Sequence, residues 1–256
     1  MKKNTSVPRQ ALVAAIAAVL TAALSVQAQS PQLPKPPSVV VPKVIDSSMA
    51  SMTNPSIRTI SPNVLEMGSV RIDKQLRSVT FPVKLNMSKG LMEYFLVTDY
   101  GKTHESVLRT EVAPYNIHVA MLLLGARAET NQLTTAPQST IANPSKTVLP
   151  GDKISIMVSW TLGGKEIHRP AEELVLSREG NSAMKPGGWV YNGSAIWGGA
   201  FLAQREGSIA SLVTDPSALI NYTGPGHDND HNWTLDTNNL PPFDLPLQVT
   251  VQLEHK

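Results

Sequence analysis

The chain has 256 residues, 41% of them hydrophobic and 16% charged, with 20 prolines, no cysteine and a formal net charge of +2. That balance is enough to bury a core and excludes wholesale disorder. The missing thiols exclude disulfides and thiolate metal sites, and the length suits one large domain or two small ones.

Residues 1–28 read as a secretory signal peptide. Lys2, Lys3 and Arg9 make a basic start, an Ala/Val/Leu/Ile run follows, and Val26-Gln27-Ala28 places small residues at a cleavage site. The apolar run is short for a bilayer span and lacks a basic stop-transfer cluster, so no membrane span is expected after cleavage. The expected location is a bacterial periplasm or the exterior. Losing the leader removes three positive charges and takes the balance from +2 to −1. A near-neutral chain argues against nucleic acid or anionic lipid as a partner.

Residues 29–63 form an expected leader. Its first part carries Pro31, Pro34, Pro36, Pro37 and Pro42 and reads as an extended spacer, and residues 45–63 read as irregular. A single domain is expected over 64–256. Residues 69–73 and 78–85 flank a turn at 74–77. Residues 91–98 and 102–108 read as a second hairpin around Asp99-Tyr100-Gly101, with Gly101 at a left-handed position. Pro114 opens a helix that Gly125 ends. Residues 117–124 leave it almost no polar face, which predicts a helix buried on most sides.

Residues 126–150 are a long Thr/Ser/Asn/Pro-rich loop. Ile154, Ile156, Val158, Trp160 and Leu162 then alternate with polar residues as a half-buried strand, turned by Gly163-Gly164. Ala171-Glu172-Glu173-Leu174 suggests a short helix. Asn192-Gly193 is the strongest hairpin signal in the chain, between 189–191 and 194–197. Residues 201–204 and 208–213 flank a turn at 205–207. Asp215-Pro216 looks like the start of a short helix, and residues 247–253 form a last strand. The expected class is α+β: mainly antiparallel hairpins packed around one buried apolar helix, plus short helices.

The chemistry concentrates in residues 93–125. In the assumed hairpin, Tyr94, His104 and Ser106 share one face, and Glu93 and Glu105 share the other as diagonal neighbours. Two such carboxylates could act as an acid/base pair or share a cation. His118 in the apolar helix has a plain reading, a neutral core histidine satisfied by a backbone carbonyl. The sharper reading brings it over the hairpin toward His104 or Glu105 as a ligand or base. The candidate binding set is Glu93, Tyr94, Lys102, His104, Glu105, Ser106 and His118, with His104, Glu105 and His118 as the catalytic candidates.

Residues 226–236 offer a weaker metal candidate. Asp228, Asp230, Asn232 and Asp236 fall at calcium-loop spacings, but Trp233 stands where Gly is wanted and Asn239 where Glu is wanted. His227 and His231 could serve a transition metal instead. Trp189, Tyr191 and Trp197 are candidates for a sugar or peptide platform, or for cross-strand packing. No HExxH, GxSxG, P-loop or dinucleotide fingerprint is present.

The stretch 86–125 resembles the YdjY-type domain of exported bacterial proteins. The likeness rests on Asn86-Met87, Gly90, Glu93-Tyr94, GKTHES at 101–106 and HVAMLLLG at 118–125. Further likeness lies in AEE at 171–173, WVYNGS at 189–194, EGSIASLVTDPSALIN at 206–221 and LPP at 240–242, so the domain is expected to fill most of 64–255. The resemblance implies no activity. Some relatives carry ferredoxin-like names, but a chain without cysteine holds no iron–sulfur cluster by thiolate ligation.

No cofactor is expected, with a divalent metal as the one alternative. The leading expectation is a non-enzymatic exported module that binds a small molecule or an envelope protein through Tyr94, Lys102, His104, Glu105 and His118. The alternative is a metal-assisted or acid/base hydrolase built on His104, Glu105 and His118. A third is an envelope protein in which the polar network only fixes the fold.

Overall fold

A computed structural model describes residues 56–128, 149–180 and 182–254. The signal-peptide segment, most of the proline-rich leader and most of the 126–150 loop lie outside the described residues.

The chain begins with a meander: β1 (Ile57–Ser61), β2 (Val64–Met67), β3 (Val70–Asp73) and β4 (Ser78–Leu85) pair antiparallel in sequence order. The first strand falls inside the stretch expected to be irregular. Its five residues are all exposed, so they carry no core pattern to read. The β3–β4 turn is the expected one. The Asp73 carboxylate accepts from the backbone N–H of Gln75 and Leu76, both at 2.9 Å, which holds the tight turn.

Next come β5 (Tyr94–Thr98), β6 (Ser106–Thr110) and the helix α1 (Pro114–Leu123), then β7 (Asp152–Leu162), β8 (Lys165–Pro170), β9 (Val175–Ser177) and β10 (Ser182–Ala183). They are followed by β11 (Trp189–Tyr191), β12 (Ile196–Trp197), β13 (Ala200–Phe201), the short helix α2 (Leu202–Glu206) and β14 (Ser208–Ser211). The chain ends with β15 (Ile220–Tyr222), β16 (Trp233–Leu235) and β17 (Leu247–Leu253).

Eight of these strands close on themselves in the order β4-β17-β7-β11-β15-β14-β5-β6, and β6 returns to β4 through Lys84↔Arg109 and Leu85↔Leu108. The protein is therefore a mainly β structure built on an eight-stranded barrel with extra strands, and the α+β expectation is overturned. Among the described residues there are two α-helices, of 10 and 5 residues. A closed barrel leaves no open edge, and its inner positions alternate with outer ones along each strand. Along β7 and β17 this alternation is regular: Ile154, Ile156, Val158 and Trp160 face Leu253, Val251, Val249 and Leu247, all buried.

The helix α1 is not the buried centre of hairpins. It packs on β3, β4 and α2. It buries Pro114, Ile117, Ala120 and Met121, while Leu122 and Leu123 are each 44% exposed. Its sequence is apolar all round, so it gave no sign of which face would be left outside. Pro114 opens it, and Gly125, at φ 81°, ends it while Ala126 N–H reaches back to Met121 O.

The second expected hairpin is also absent. β5 and β6 run parallel, with Tyr94↔Ser106, Leu96↔Leu108 and Thr98↔Thr110. Residues 99–105 return the chain beside the strands and end in a 3-10 turn at Thr103–Glu105. All five residues of β5 are buried, so no alternation betrayed its partners. Its antiparallel neighbour is β14, 110 or more positions on, through Ser208↔Val97 and Ser211↔Tyr94. Glycine makes this crossing possible. Any side chain at Gly207, at φ 72°, would overlap Thr98 Oγ1, and one at Gly101 would press on Gly207 O at 3.0 Å.

The Asn192-Gly193 signal misplaced another turn. β11 pairs with β15 and β7, and the hairpin forms one step later, between β12 and β13 around Gly198-Gly199. Asn192 instead turns inward, 6% exposed, and binds Asn221 and Ala218 O. The core aromatics run from the barrel into the small β10-β9-β16 sheet: Phe95 to Trp189 at 5.8 Å, Trp189 to Tyr222 at 5.5 Å and Tyr222 to Trp233 at 5.5 Å between centroids.

If α1 is one-sided, its two kinds of leucine-sized residue behave differently. Ile117→Ala lowers the unfolding free energy by about 2–5 kcal/mol in urea denaturation, and Leu123→Gln changes it by less than about 1 kcal/mol. Equal losses would return the helix to the core.

Candidate functional site

Glu93 precedes β5, and its backbone is held on both sides. Its N–H donates to Glu105 O at 3.0 Å, and its carbonyl accepts from Leu212 N–H at 2.8 Å and Val213 N–H at 3.1 Å. This places the β5–β6 return beside the segment after β14. Between them opens a cleft of about 260 Å3, walled by Glu93, Tyr94, Lys102, Ser211, Thr214 and Asp215.

A continuous chain of polar groups runs along its wall. Lys102 Nζ donates to the Tyr94 hydroxyl at 3.0 Å, and that hydroxyl donates to Asp215 Oδ2 at 2.9 Å. Asp215 Oδ1 accepts from Ser217 N–H at 2.8 Å. On the other side, Lys102 Nζ lies 3.6 Å from Glu105 Oε1, and Glu105 Oε2 lies 3.6 Å from His104 Nε2. Asp215 is fixed by its backbone as well: its N–H donates to Asn221 Oδ1 at 2.7 Å, and Asn221 Nδ2 bridges Asp215 O and Asn192 Oδ1.

The electrostatics follow from burial. Desolvation raises the Asp215 carboxyl above the usual range, against the lowering effect of the Ser217 N–H and Tyr94 hydroxyl bonds. Desolvation, then the Asp215 charge, pushes the Tyr94 phenol far up, so it stays protonated and acts as a donor. Glu93 is raised by desolvation first and by the Glu105 charge second, with Asp230 adding to this and Lys102 opposing it. Its carboxylate takes no hydrogen bond or ion pair among the described residues.

The sequence-derived set divides here. Glu93, Tyr94 and Lys102 line the cleft. Glu105 lies 3.6 Å from Lys102, and His104, its side chain 77% exposed, lies 3.6 Å from Glu105. Ser106 is fully buried, and its hydroxyl donates to Leu108 O at 2.8 Å. His118 has other neighbours. Its Nδ1 lies 2.7 Å from the Tyr191 hydroxyl, and its ring centroid is 4.9 Å from that of Phe201. Burial lowers its pKa to about 4, which makes it a neutral packed histidine whose partner is a tyrosine hydroxyl rather than a backbone carbonyl.

The residues of 226–236 also scatter. His227 Nδ1 shares a 2.7 Å hydrogen bond with Thr214 Oγ1. His231 and Asp230 are exposed and 3.8 Å apart. Asn232 turns inward to accept from Ser177 and from Glu179 N–H, and Asp236 accepts from Asn239. Asp228 is exposed. Among the described residues no three His, Asp or Glu side chains converge as a metal set. Trp189 and Tyr191 are core residues, and Trp197 stands apart at 42% exposure.

Ser211, Thr214 and Asp215 were not singled out from the sequence as site residues. Asp215-Pro216 reads as a helix start, yet no helix forms: Asp215 caps a turn through Ser217 N–H.

The family model of the YdjY domain matches residues 70–252. The chain belongs to the YdjY domain family. No curated protein and no solved structure matches it. The YdjY match runs from β3 into β17, so it takes in all eight barrel strands and every wall of the cleft, and leaves out β1 and β2.

Two measurements check these local assignments. Tyr94→Phe leaves Lys102 without its acceptor and Asp215 without a donor, and lowers the unfolding free energy by about 1–3 kcal/mol in urea at neutral pH. His118 gives a pH dependence of known sign. Its folded pKa lies below the ordinary histidine value of 6.5, at about 4, so the unfolded chain binds the extra proton between those values. The stability it supports is full above pH 6.5 and is lost as the pH falls to about 4. The loss is on the order of 3 kcal/mol, and the difference between wild type and His118→Gln in denaturation across that range isolates it from the carboxyl groups.

Proposed function

We propose that this YdjY-domain protein is a non-enzymatic module, exported from the cytoplasm, that holds a small polar ligand in the cleft between the β5–β6 return and the segment after β14. Export rests on the reading of residues 1–28 as a signal peptide and suits a chain without cysteine. The binding reading rests on one observation above all. Glu93, whose carboxylate has no partner among the described residues, lines the same 260 Å3 cleft as Lys102. Pockets that bind small molecules join a shaped hollow to a few placed polar groups.

A binding role is favoured over chemistry by the state of the polar chain. Tyr94 is hydrogen-bonded in both directions and held protonated, so it is a poor base or nucleophile. The hydrolase alternative needs His118 beside His104 and Glu105, and His118 is committed to Tyr191 and Phe201.

The test is a thermal-shift screen of small polar metabolites against the purified protein. A true ligand at a hundred times its Kd adds about 2.7 kcal/mol of stability. That gain disappears in Lys102→Ala and persists in Leu123→Gln. A screen with no hit, or hits that ignore Lys102→Ala, sinks the reading.

A further inference from the structure

We infer that the ligand of this cleft is a small zwitterion, with a cationic amine set against Glu93 and a carboxylate set against Lys102. This rests on the binding reading above and names the class of molecule bound. Unmet hydrogen-bonding capacity at the cleft points to that class. Tyr94 is satisfied on both sides. Thr214 Oγ1 is engaged with His227, and Ser211 Oγ with Val213 O and Glu93 O. Asp215 accepts from Tyr94 and Ser217. Among the side chains that line the cleft, two keep spare capacity, and they are opposite in sign. The Glu93 carboxylate accepts nothing from a side chain among the described residues. The Lys102 ammonium has three N–H groups, of which one goes to Tyr94; its approach to Glu105 at 3.6 Å is longer than a hydrogen bond.

The two ends are not symmetrical. Around Glu93 the charges of Glu105 and Asp230 add to desolvation in favouring a neutral carboxyl, so a ligand cation there relieves a strained balance. Around Lys102 the fixed Tyr94 hydroxyl holds the ammonium in place and directs its remaining donors. A dication would leave one end against Lys102, and a dianion would leave one end against Glu93. Either costs like-charge repulsion in a partly enclosed space. The volume, about 260 Å3, lies just below the usual range for drug-sized ligands and suits a molecule of amino-acid size.

The experiment uses three series of linear probes matched in chain length: ω-amino carboxylates, α,ω-diamines and α,ω-dicarboxylates. Binding to the whole protein is measured by calorimetry at neutral pH. The amino carboxylates are expected to bind at least about tenfold tighter than either other series at their best length. Glu93→Gln, isosteric and without a side-chain partner to lose, weakens the amino carboxylates by about tenfold to a hundredfold and leaves dicarboxylates unchanged or tighter. Lys102→Gln keeps an N–H for Tyr94 while removing the charge, and weakens the amino carboxylates while leaving diamines unchanged or tighter. Diamines or dicarboxylates binding best would overturn the zwitterion. So would silence from all three series when the metabolite screen has given a Lys102-dependent hit; there the binding reading survives and the ligand class falls. Silence in both experiments removes both.

Discussion

The molecule depends on a short seam, the place where β6 meets β4 and the sheet becomes a barrel. The ladder there is only Lys84↔Arg109 and Leu85↔Leu108. It is extended by Asn86 N–H to Val107 O at 2.9 Å and by the Thr110 hydroxyl to Pro82 O at 2.7 Å. Pro82 shows how β4 manages three neighbours. It pairs with Gln248 of β17 on one side, and on the other it falls between the stretch held by β3 and the stretch held by β6. A residue without an N–H is tolerated where the ladder has a gap. Closing the barrel elsewhere would leave β6 as a free edge and would remove the support under the return that carries Lys102 and Glu105.

The same seam explains why the cleft sits where it does. A parallel β5–β6 pair needs a connection that travels back along the strands, and residues 99–105 are short for that task. The return is packed hard against α2 and its exit: Tyr100 donates to Gln204 O at 2.8 Å, and Thr98 N–H donates to Gly207 O at 2.8 Å. Lys102 then projects beside Tyr94 instead of continuing a strand. Across the gap, the buried Asn192–Asn221 pair holds Asp215 from behind. Each wall of the cleft is thus held by hydrogen bonds that lie outside it.

What could be read from the sequence follows from where pattern carries information. The alternation of β7, the turn at 74–77 and the Gly163-Gly164 turn were legible because each is a local pattern with one physical meaning. β5 was recognised as a strand, yet Tyr94 to Thr98 are buried on both faces, so nothing in those residues distinguishes a hairpin from a parallel neighbour. The apolar sequence of α1 hid its exposed side in the same way. Asn192-Gly193 misled because Asn192 is spent on a tertiary bond. At the site, Glu93, Tyr94, Lys102 and Glu105 were legible as a dense local set. Asp215 lies 121 positions from Tyr94, and only the β5–β14 pairing brings the two together.

That pairing also bears on whether the polar set is a site or a device for folding. A structural network ends with its groups satisfied, since an unmet buried charge costs stability and gives nothing back. Much of this network does end so: Tyr94, Asp215, Asn192 and Asn221 form a closed system. Glu93 is outside it. Its backbone holds four hydrogen bonds that any residue could make, so the fold does not require a carboxylate there. Burial first, then the Glu105 charge, raise its carboxyl above the usual range, with Lys102 opposing. Stability alone would favour a neutral side chain at that position. Glu93 thus stands outside what the closed network accounts for, in a cleft that Lys102 also lines.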